Sequence, residues 1–194
     1  MAQALPNDLP IKHFRNAAAW EAWLAAHPAD KGMWLKIAKK DSGVTSVTYA
    51  EALDVALCHG WIDGLKRACD EVFFLQRFTP RRAKSLWSKI NIAKADALIA
   101  NGRMRPGGLR EIEAAKADGR WDVAYASAST ITVPDDLIVA LRRSRKAAAF
   151  FETLDKTNRY AVLWRIHTAK KPETRAARVE KLVAMLARGE KIHG

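Results

Sequence analysis

Residues 59–91 read HGWIDGLKRACDEVFFLQRFTPRRAKSLWSKIN and combine aromatic, acidic and arginine side chains more densely than any other part of the chain. Gly60 is a good terminator for a preceding helix, because glycine adopts the left-handed conformation readily. Two strand-like runs follow, Trp61–Ala68 and Val72–Phe78, joined around Cys69-Asp70-Glu71. The stretch therefore predicts an antiparallel hairpin, and we expect the rest of the fold to be built around it.

A three-residue loop centred on Asp70 would place Asp63 opposite Arg77 in this hairpin. Trp61 shares a face with Asp63, because side chains alternate along a strand. The sequence thus predicts a charge pair beside an indole ring on a partly buried face. Two interpretations stay open, a structural ion pair and a ligand site, and a register shift of one residue would remove the pairing.

The residues after the hairpin predict a helix start. Thr79 suits the N-cap and Pro80 the first helical position. Arg81 and Arg82 would then lie in the first turn, where the free N–H groups favour an anion. Arginines can bind a carboxylate or phosphate through charge-assisted, bidentate hydrogen bonds, with tryptophans as walls. The predicted ligand site consists of Trp61, Asp63, Arg77, Thr79, Arg81 and Trp87.

The residues before the hairpin predict an arm, a helix, a strand and a second helix. Residues 1–15 suit an extended arm, and Asn16 suits the N-cap of a helix that reaches Ala26. Met33–Lys40 alternates as a strand does. Thr48 and Glu51 have the spacing of a capping box, in which each side chain binds a backbone N–H group.

From Pro134 onward the hydrophobic spacing is helical and predicts four helices, the last opened by Pro172. The fold class predicted is α+β, with a small antiparallel sheet of about three strands packed with helices and followed by a C-terminal helical region. The predicted boundaries are residues 1–125 for the α+β region, 126–133 for a linker of small residues, and 134–194 for the helical region.

The formal charge of +12 on 194 residues favours anionic partners. An anionic small molecule or an acidic protein is the first hypothesis, with the ligand in a pocket near residues 61–88, and nucleic acid is the alternative. The nucleic-acid hypothesis uses the basic side chains of Arg81, Arg82, Lys84, Lys89, Arg142, Arg143 and Arg145. The sequence has no apolar run long enough to span a membrane and no signal-peptide pattern, so a cytoplasmic location is expected.

The sequence does not combine its reactive side chains into a catalytic set. Cys58 and His59 are adjacent and would point about 100° apart on a helix, which is a poor nucleophile–base geometry. No spacing of histidines and carboxylates suits a metal ion, and no glycine-rich phosphate loop is present. These observations favour a non-enzymatic function without a cofactor.

Several runs carry a resemblance to a known family, and they are Ala56–Gly64, Gln76–Arg81, Trp87–Ser88, Asn91, Gly102–Met104, Ile112–Trp121 and Ala169–Arg175. On these residues the chain resembles the YdeI/OmpD-associated proteins, a bacterial family named for bacteriocin protection, over nearly its whole length. The resemblance implies an α+β N-terminal region, a small helical C-terminal region and a role in protection against bacteriocins and stress. It implies no reaction and no catalytic residue.

Overall fold

The computed structural model describes residues 9–28 and 30–194, which form two compact units. The first unit takes the described residues up to Ser85 together with Asn91–Trp121. The second takes Leu86–Ile90 and Asp122–Gly194, so residues 126–133, predicted as a linker, lie within it. No helix in the described ranges is long and apolar enough to cross a membrane.

The first unit contains four strands and four helices among its described residues. The strands are β1 (Ile11–His13), β2 (Met33–Ala38), β3 (Trp61–Ala68) and β4 (Phe73–Pro80). The helices are α1 (Ala17–Ala26), α2 (Tyr49–Cys58), α3 (Lys89–Ala100) and α4 (Pro106–Ala117). The first two residues of α3 belong to the second unit. The helix caps predicted at Asn16 and Thr48 are confirmed. The Asn16 side chain accepts a hydrogen bond from the N–H of Ala19 at 2.9 Å, and Thr48 and Glu51 form the full capping box.

The sheet has the strand order β1-β2-β4-β3. The pairs β2–β4 and β4–β3 are antiparallel, and β1 adds a parallel neighbour to β2. The predicted α+β class is therefore confirmed, with one strand more than the three expected. The additional strand lies in the segment predicted as an extended arm, of which residues 1–8 lie outside the described ranges.

One face of the sheet packs against α1 through a cluster of aromatic rings. Trp20 is fully buried and its ring centre lies 5.7 Å from that of Phe78 and 6.2 Å from that of Trp61. Its indole N–H donates to the carbonyl oxygen of Ala52 at 3.1 Å, which fixes α1 to α2. We call the sheet side that carries Trp61, Asp63 and Phe78 the helix face.

The register predicted for the hairpin is wrong. Asp63 pairs with Phe78, and nearer the turn Lys66 pairs with Gln76. The connection has four residues instead of three, and a β-bulge at residues 64–65 places two residues of β3 opposite Arg77 alone. The Gln76 amide stabilises this bulge, because its Nε2 donates to the carbonyl oxygen of Gly64 at 2.9 Å.

The starting position predicted for the next helix, Thr79-Pro80, is also wrong. Both residues end β4, where they pair with Ile62 and Trp61, and the Arg81 N–H continues the ladder by donating to the carbonyl oxygen of Gly60 at 2.9 Å. Proline is tolerated at this position because Pro80 lies beyond the last β2–β4 pair, Met33–Phe78, so no bond to β2 needs its missing N–H. The next helix, α3, begins only at Lys89, so Arg81 and Arg82 do not lie in a first helical turn.

The second unit contains the four helices predicted from the C-terminal pattern. They are α5 (Asp135–Arg142), α6 (Arg145–Glu152), α7 (Lys156–His167) and α8 (Pro172–Ala187). Their apolar stripes meet in one core that includes Leu137, Phe151, Ile166 and Leu186. Pro172 opens α8 as expected, because the missing N–H of proline costs nothing at the first helical position.

The turn between β3 and β4 supplies a prediction about pH. Hydrogen bonds from the Phe73 N–H first, then from Lys36 and the Val72 N–H, lower the pKa of Asp70 to about 2. This pKa of the folded state lies below the ordinary value, so the ionised Asp70 stabilises the fold. The stabilisation is fully present above about pH 4 and is lost as the pH falls through 2.

A ¹³C NMR titration of the Asp70 carboxyl should therefore have its midpoint near 2. The Asp70→Asn variant keeps an acceptor for the turn N–H groups but cannot ionise. In urea titrations, the free energy of unfolding of the wild type should fall between pH 4 and pH 2 as Asp70 becomes protonated. The fall should be smaller in Asp70→Asn, because this side chain does not titrate. A midpoint at the ordinary value for aspartate would contradict the prediction.

Candidate functional site

The structure separates the six predicted ligand residues. Trp61 lies on the helix face, where it is buried against the rings of Trp20 and Trp23. Its contacts are those of a core side chain. It therefore belongs to the aromatic core of the first unit.

Asp63 has a partner other than the predicted Arg77. The phenolic O–H of Tyr49 donates to the Asp63 carboxylate at 2.7 Å and connects the start of α2 to β3. Burial, followed by this hydrogen bond and the negative charge of Asp63, raises the pKa of Tyr49 well above its ordinary value. The predicted Asp63–Arg77 pair is therefore replaced by a Tyr49–Asp63 pair.

Arg77 and Thr79 lie on the opposite side of the sheet from Trp61. Arg77 pairs with Trp34 of β2, and Thr79 pairs with Ile62 of β3. Successive side chains of a strand point to opposite faces of the sheet. Because Phe78 lies on the helix face, its neighbours Arg77 and Thr79 lie on the other face. The predicted set therefore does not share one side of the sheet.

Arg81 and Trp87 are both buried. Arg81 follows β4 directly, and only 6% of its surface is exposed. Trp87 belongs to the second unit, where its carbonyl oxygen accepts a hydrogen bond from the N–H of Tyr125 at 3.0 Å. Trp87 is thus not part of the hairpin that carries Trp61, Asp63, Arg77 and Thr79.

The side of the sheet that carries Arg77 has a composition that the hairpin pattern did not reveal. We call it the arginine face and define it by Trp34, Arg67, Leu75 and Arg77, which the strand register places together. The guanidinium of Arg67 lies 5.8 Å from the ring centre of Trp34. Gly64 lies beside the Arg77 side chain, since a Cβ added there would be 3.8 Å from the Arg77 Cβ and Cδ.

Two paired residues of the arginine face carry buried donors without an acceptor. Trp34 is fully buried, and neither its Nε1 nor the Nε of Arg77 has a hydrogen-bond partner among the residues that the structure describes. A buried donor left without an acceptor costs about 1–3 kcal/mol. The arrangement is thus suited to an acceptor, and a carboxylate or phosphate has several acceptor oxygens.

The residues of the nucleic-acid hypothesis are exposed with one exception. Arg81 is buried, whereas Arg82, Lys84 and Lys89 are exposed. Arg142, Arg143 and Arg145 are exposed in the second unit, where they mark the end of α5 and the start of α6. Arg81 is therefore a poor choice for a phosphate contact, and the other six stay predictions.

A polar cluster between α1, α2 and α4 was not predicted from the sequence. The Nε and NH2 atoms of Arg105 donate to one carboxylate oxygen of Glu21 at 3.0 and 2.7 Å, and the His59 Nε2 lies 3.8 Å from the same oxygen. The hydrogen bond from Arg105 lowers the pKa of Glu21, whereas burial lowers that of His59. No local pattern predicts this contact, because 84 positions separate Glu21 from Arg105.

Comparison with known families assigns both parts of the chain. The model of a family described as a domain of unknown function (DUF8412) matches residues 12–111, and that of the family described as "Bacteriocin-protection, YdeI or OmpD-Associated" matches residues 130–189. The chain belongs to the DUF8412 family, and its residues 130–189 match the YdeI/OmpD-associated family. The YdeI/OmpD-associated resemblance is thus confirmed. Its match includes Ala169–Arg175, whereas the runs Ala56–Gly64 and Gln76–Arg81 fall in the DUF8412 match.

No curated protein and no solved structure matches the chain. The description of the second family names bacteriocin protection, that of the first names no function, and neither names a reaction. A molecular function for this DUF8412 protein therefore has to be argued from its own side chains.

Proposed function

We propose that this YdeI/OmpD-associated protein is a non-enzymatic bacteriocin-protection and stress-associated protein that binds an anionic small molecule at the arginine face. The observation that carries the proposal is the pair of buried donors on Trp34 and Arg77, which occupy directly paired positions of β2 and β4. The family name supports the protective role. The net charge of +12 favours an anion over a cation.

The geometry favours a carboxylate or phosphate over a neutral ligand. Side chains at directly paired positions have Cβ atoms about 4.5–5.5 Å apart, so one group with several oxygens can accept from both Trp34 and Arg77. Arg67, which stacks near Trp34, adds a second positive charge to the same face. Hydrogen bonds that involve an ionised group are roughly twice as strong as neutral ones. An anion therefore satisfies the buried donors better than a neutral acceptor does.

A thermal-shift screen with inorganic phosphate, citrate and adenosine monophosphate, at constant ionic strength, tests the proposal. An anion at ten times its Kd adds about 1.4 kcal/mol of stability. For a chain of this size that addition corresponds to a Tm rise of about 3–6 °C. We expect at least one of the three anions to produce this rise in the wild type and none to produce it in Arg77→Met.

Lys66→Met is the matched control, because it changes the net charge by the same amount as Arg77→Met. Lys66 pairs with Gln76 and lies on the helix face, away from the proposed site. It should keep the anion-dependent rise. Trp34→Phe keeps a ring but removes the indole donor, so it should reduce the rise. If no anion raises the Tm, or if Lys66→Met abolishes the effect as fully as Arg77→Met, the anion site is disproved.

Cells challenged with a bacteriocin should survive better with the wild type than with Arg77→Met.

A further inference from the structure

An apolar groove lies between α5 and α6 in the second unit and has a volume of about 520 Å³. It is lined by Val133, Ile138, Leu141, Arg142, Ala148, Ala149, Phe151 and Glu152. Leu141 and Phe151 form the floor, because both are buried and belong to the core of this unit. Ala149, Arg142 and Glu152 are exposed, so the rim is open to solvent. None of the predicted ligand residues of the first unit lines this groove.

The two ends of the groove differ in charge. At the turn between the helices, α5 ends with Arg142 and α6 begins with Arg145, and the flanking Arg143 and Lys146 are exposed as well. At the opposite end the carboxylate of Glu152 lies 3.3 Å from Arg159. The negative charge there is thus offset, and the turn end keeps an excess of positive charge.

The first turn of α5, also at the far end, carries two acidic residues, Asp135 and Asp136, and Asp136 is paired. Asp136, in the first turn of α5, accepts hydrogen bonds from Arg175 at 2.6 and 3.0 Å. The hydrogen bond from Arg175 lowers the pKa of Asp136, so this carboxylate stays ionised and engaged. The groove therefore presents an apolar floor with a positive potential that rises toward the turn.

An acidic amphipathic segment of a protein fits these features best. A small molecule in an open groove would stay largely exposed, whereas small-molecule sites bury roughly 70–90% of a ligand. An amphipathic helix places one apolar face in such a groove and leaves its polar face in water. A second copy of this chain would bring further positive charge to a positive end, which costs free energy.

We propose that the groove between α5 and α6 binds an acidic amphipathic segment of a partner protein. The apolar side chains of that segment contact Ile138, Ala149 and Phe151, and an acidic side chain lies beside Arg142. This contact is independent of the arginine face, since its residues all belong to the second unit. Loss of one site therefore leaves the other intact.

Fluorescence anisotropy with the full chain and a labelled helical peptide tests the proposal. The peptide has leucines at i, i+3, i+4 and i+7 and glutamates at most other positions, and the measurement is made at physiological salt. Ala149→Trp fills the groove from an exposed position and should weaken binding at least about ten-fold. Arg142→Glu should weaken it as well. Val139→Trp is the matched control, because Val139 is 46% exposed on α5 and does not line the groove.

Three results would overturn the proposal. A peptide of the same composition with scrambled leucine positions should bind weakly, and equal binding would show that charge alone attracts the peptide. Sedimentation of the chain without peptide should show no self-association that depends on Ala149. Concentration-dependent dimers of the wild type that Ala149→Trp abolishes would assign the groove to a second copy instead. Absence of binding by the patterned peptide also contradicts the proposed contact.

Discussion

Replacing Trp20 with alanine should lower the free energy of unfolding by about 3–5 kcal/mol, the usual cost of truncating a fully buried aromatic side chain. Trp20 is 0% exposed and lies at the centre of the aromatic cluster, with the ring centres of Phe14 and Trp23 at 5.3 and 5.6 Å. The variant would also lose the hydrogen bond to the carbonyl oxygen of Ala52 in α2. The loss therefore affects both the packing of α1 on the sheet and its connection to α2.

Two further variants separate these contributions in a urea titration followed by circular dichroism. Trp20→Phe keeps a ring but loses the hydrogen bond and some volume, so it should cost about 1–2 kcal/mol. Ile99→Ala removes an apolar side chain that is 40% exposed, and a surface change of this kind should stay within about 0.5 kcal/mol. A cost for Trp20→Ala close to that of Ile99→Ala would contradict the packing of the aromatic cluster.

The sequence predicts the parts of this fold that depend on neighbouring residues. Asn16 and the Thr48–Glu51 pair act within one helical turn, and the structure confirms both caps. The four C-terminal helices follow from apolar stripes whose spacing is set inside each helix. Each of these features can be recognised from residues three or four positions apart, because that is the distance over which the contact forms.

The candidate site could not be predicted in the same way, because its contacts join distant strands. Arg77 meets Trp34 only because β4 lies between β2 and β3 in the sheet, an order that the hairpin pattern does not contain. Near the turn the pairing differs from the predicted register by two residues, and the bulge opposite Arg77 reduces the difference to one. One residue is enough to place Phe78, and not Arg77, opposite Asp63. Thr79-Pro80 has the residue types of a helix start, yet pairing with β3 keeps it extended.

Replacing Gly108 with alanine should lower the free energy of unfolding by about 3 kcal/mol, at the upper end of the usual cost of overpacking. A Cβ at this position would lie 2.5 Å from the carbonyl oxygen of Cys58 and 2.6 Å from that of Leu57, and it would also overlap the Met104 sulfur. Met104 can move because its side chain is flexible. The two carbonyl oxygens belong to the end of α2, so α4 would have to separate from it.

The sign of the effect tests this close approach of α2 and α4. In an open helix, glycine is less stable than alanine by roughly 0.5–1 kcal/mol, so Gly108→Ala would stabilise the chain if α4 had room. Gly102→Ala is the control, because a Cβ there meets nothing within 4 Å and only its φ of +65° opposes the change, at about 1–2 kcal/mol. A larger loss for Gly108 than for Gly102 in the same urea titration is expected. A gain in stability for Gly108→Ala would contradict the close contact between the backbones of α2 and α4. It would also contradict the position of Arg105, because the Arg105 N–H donates to the carbonyl oxygen of Cys58 at 3.2 Å across the same contact.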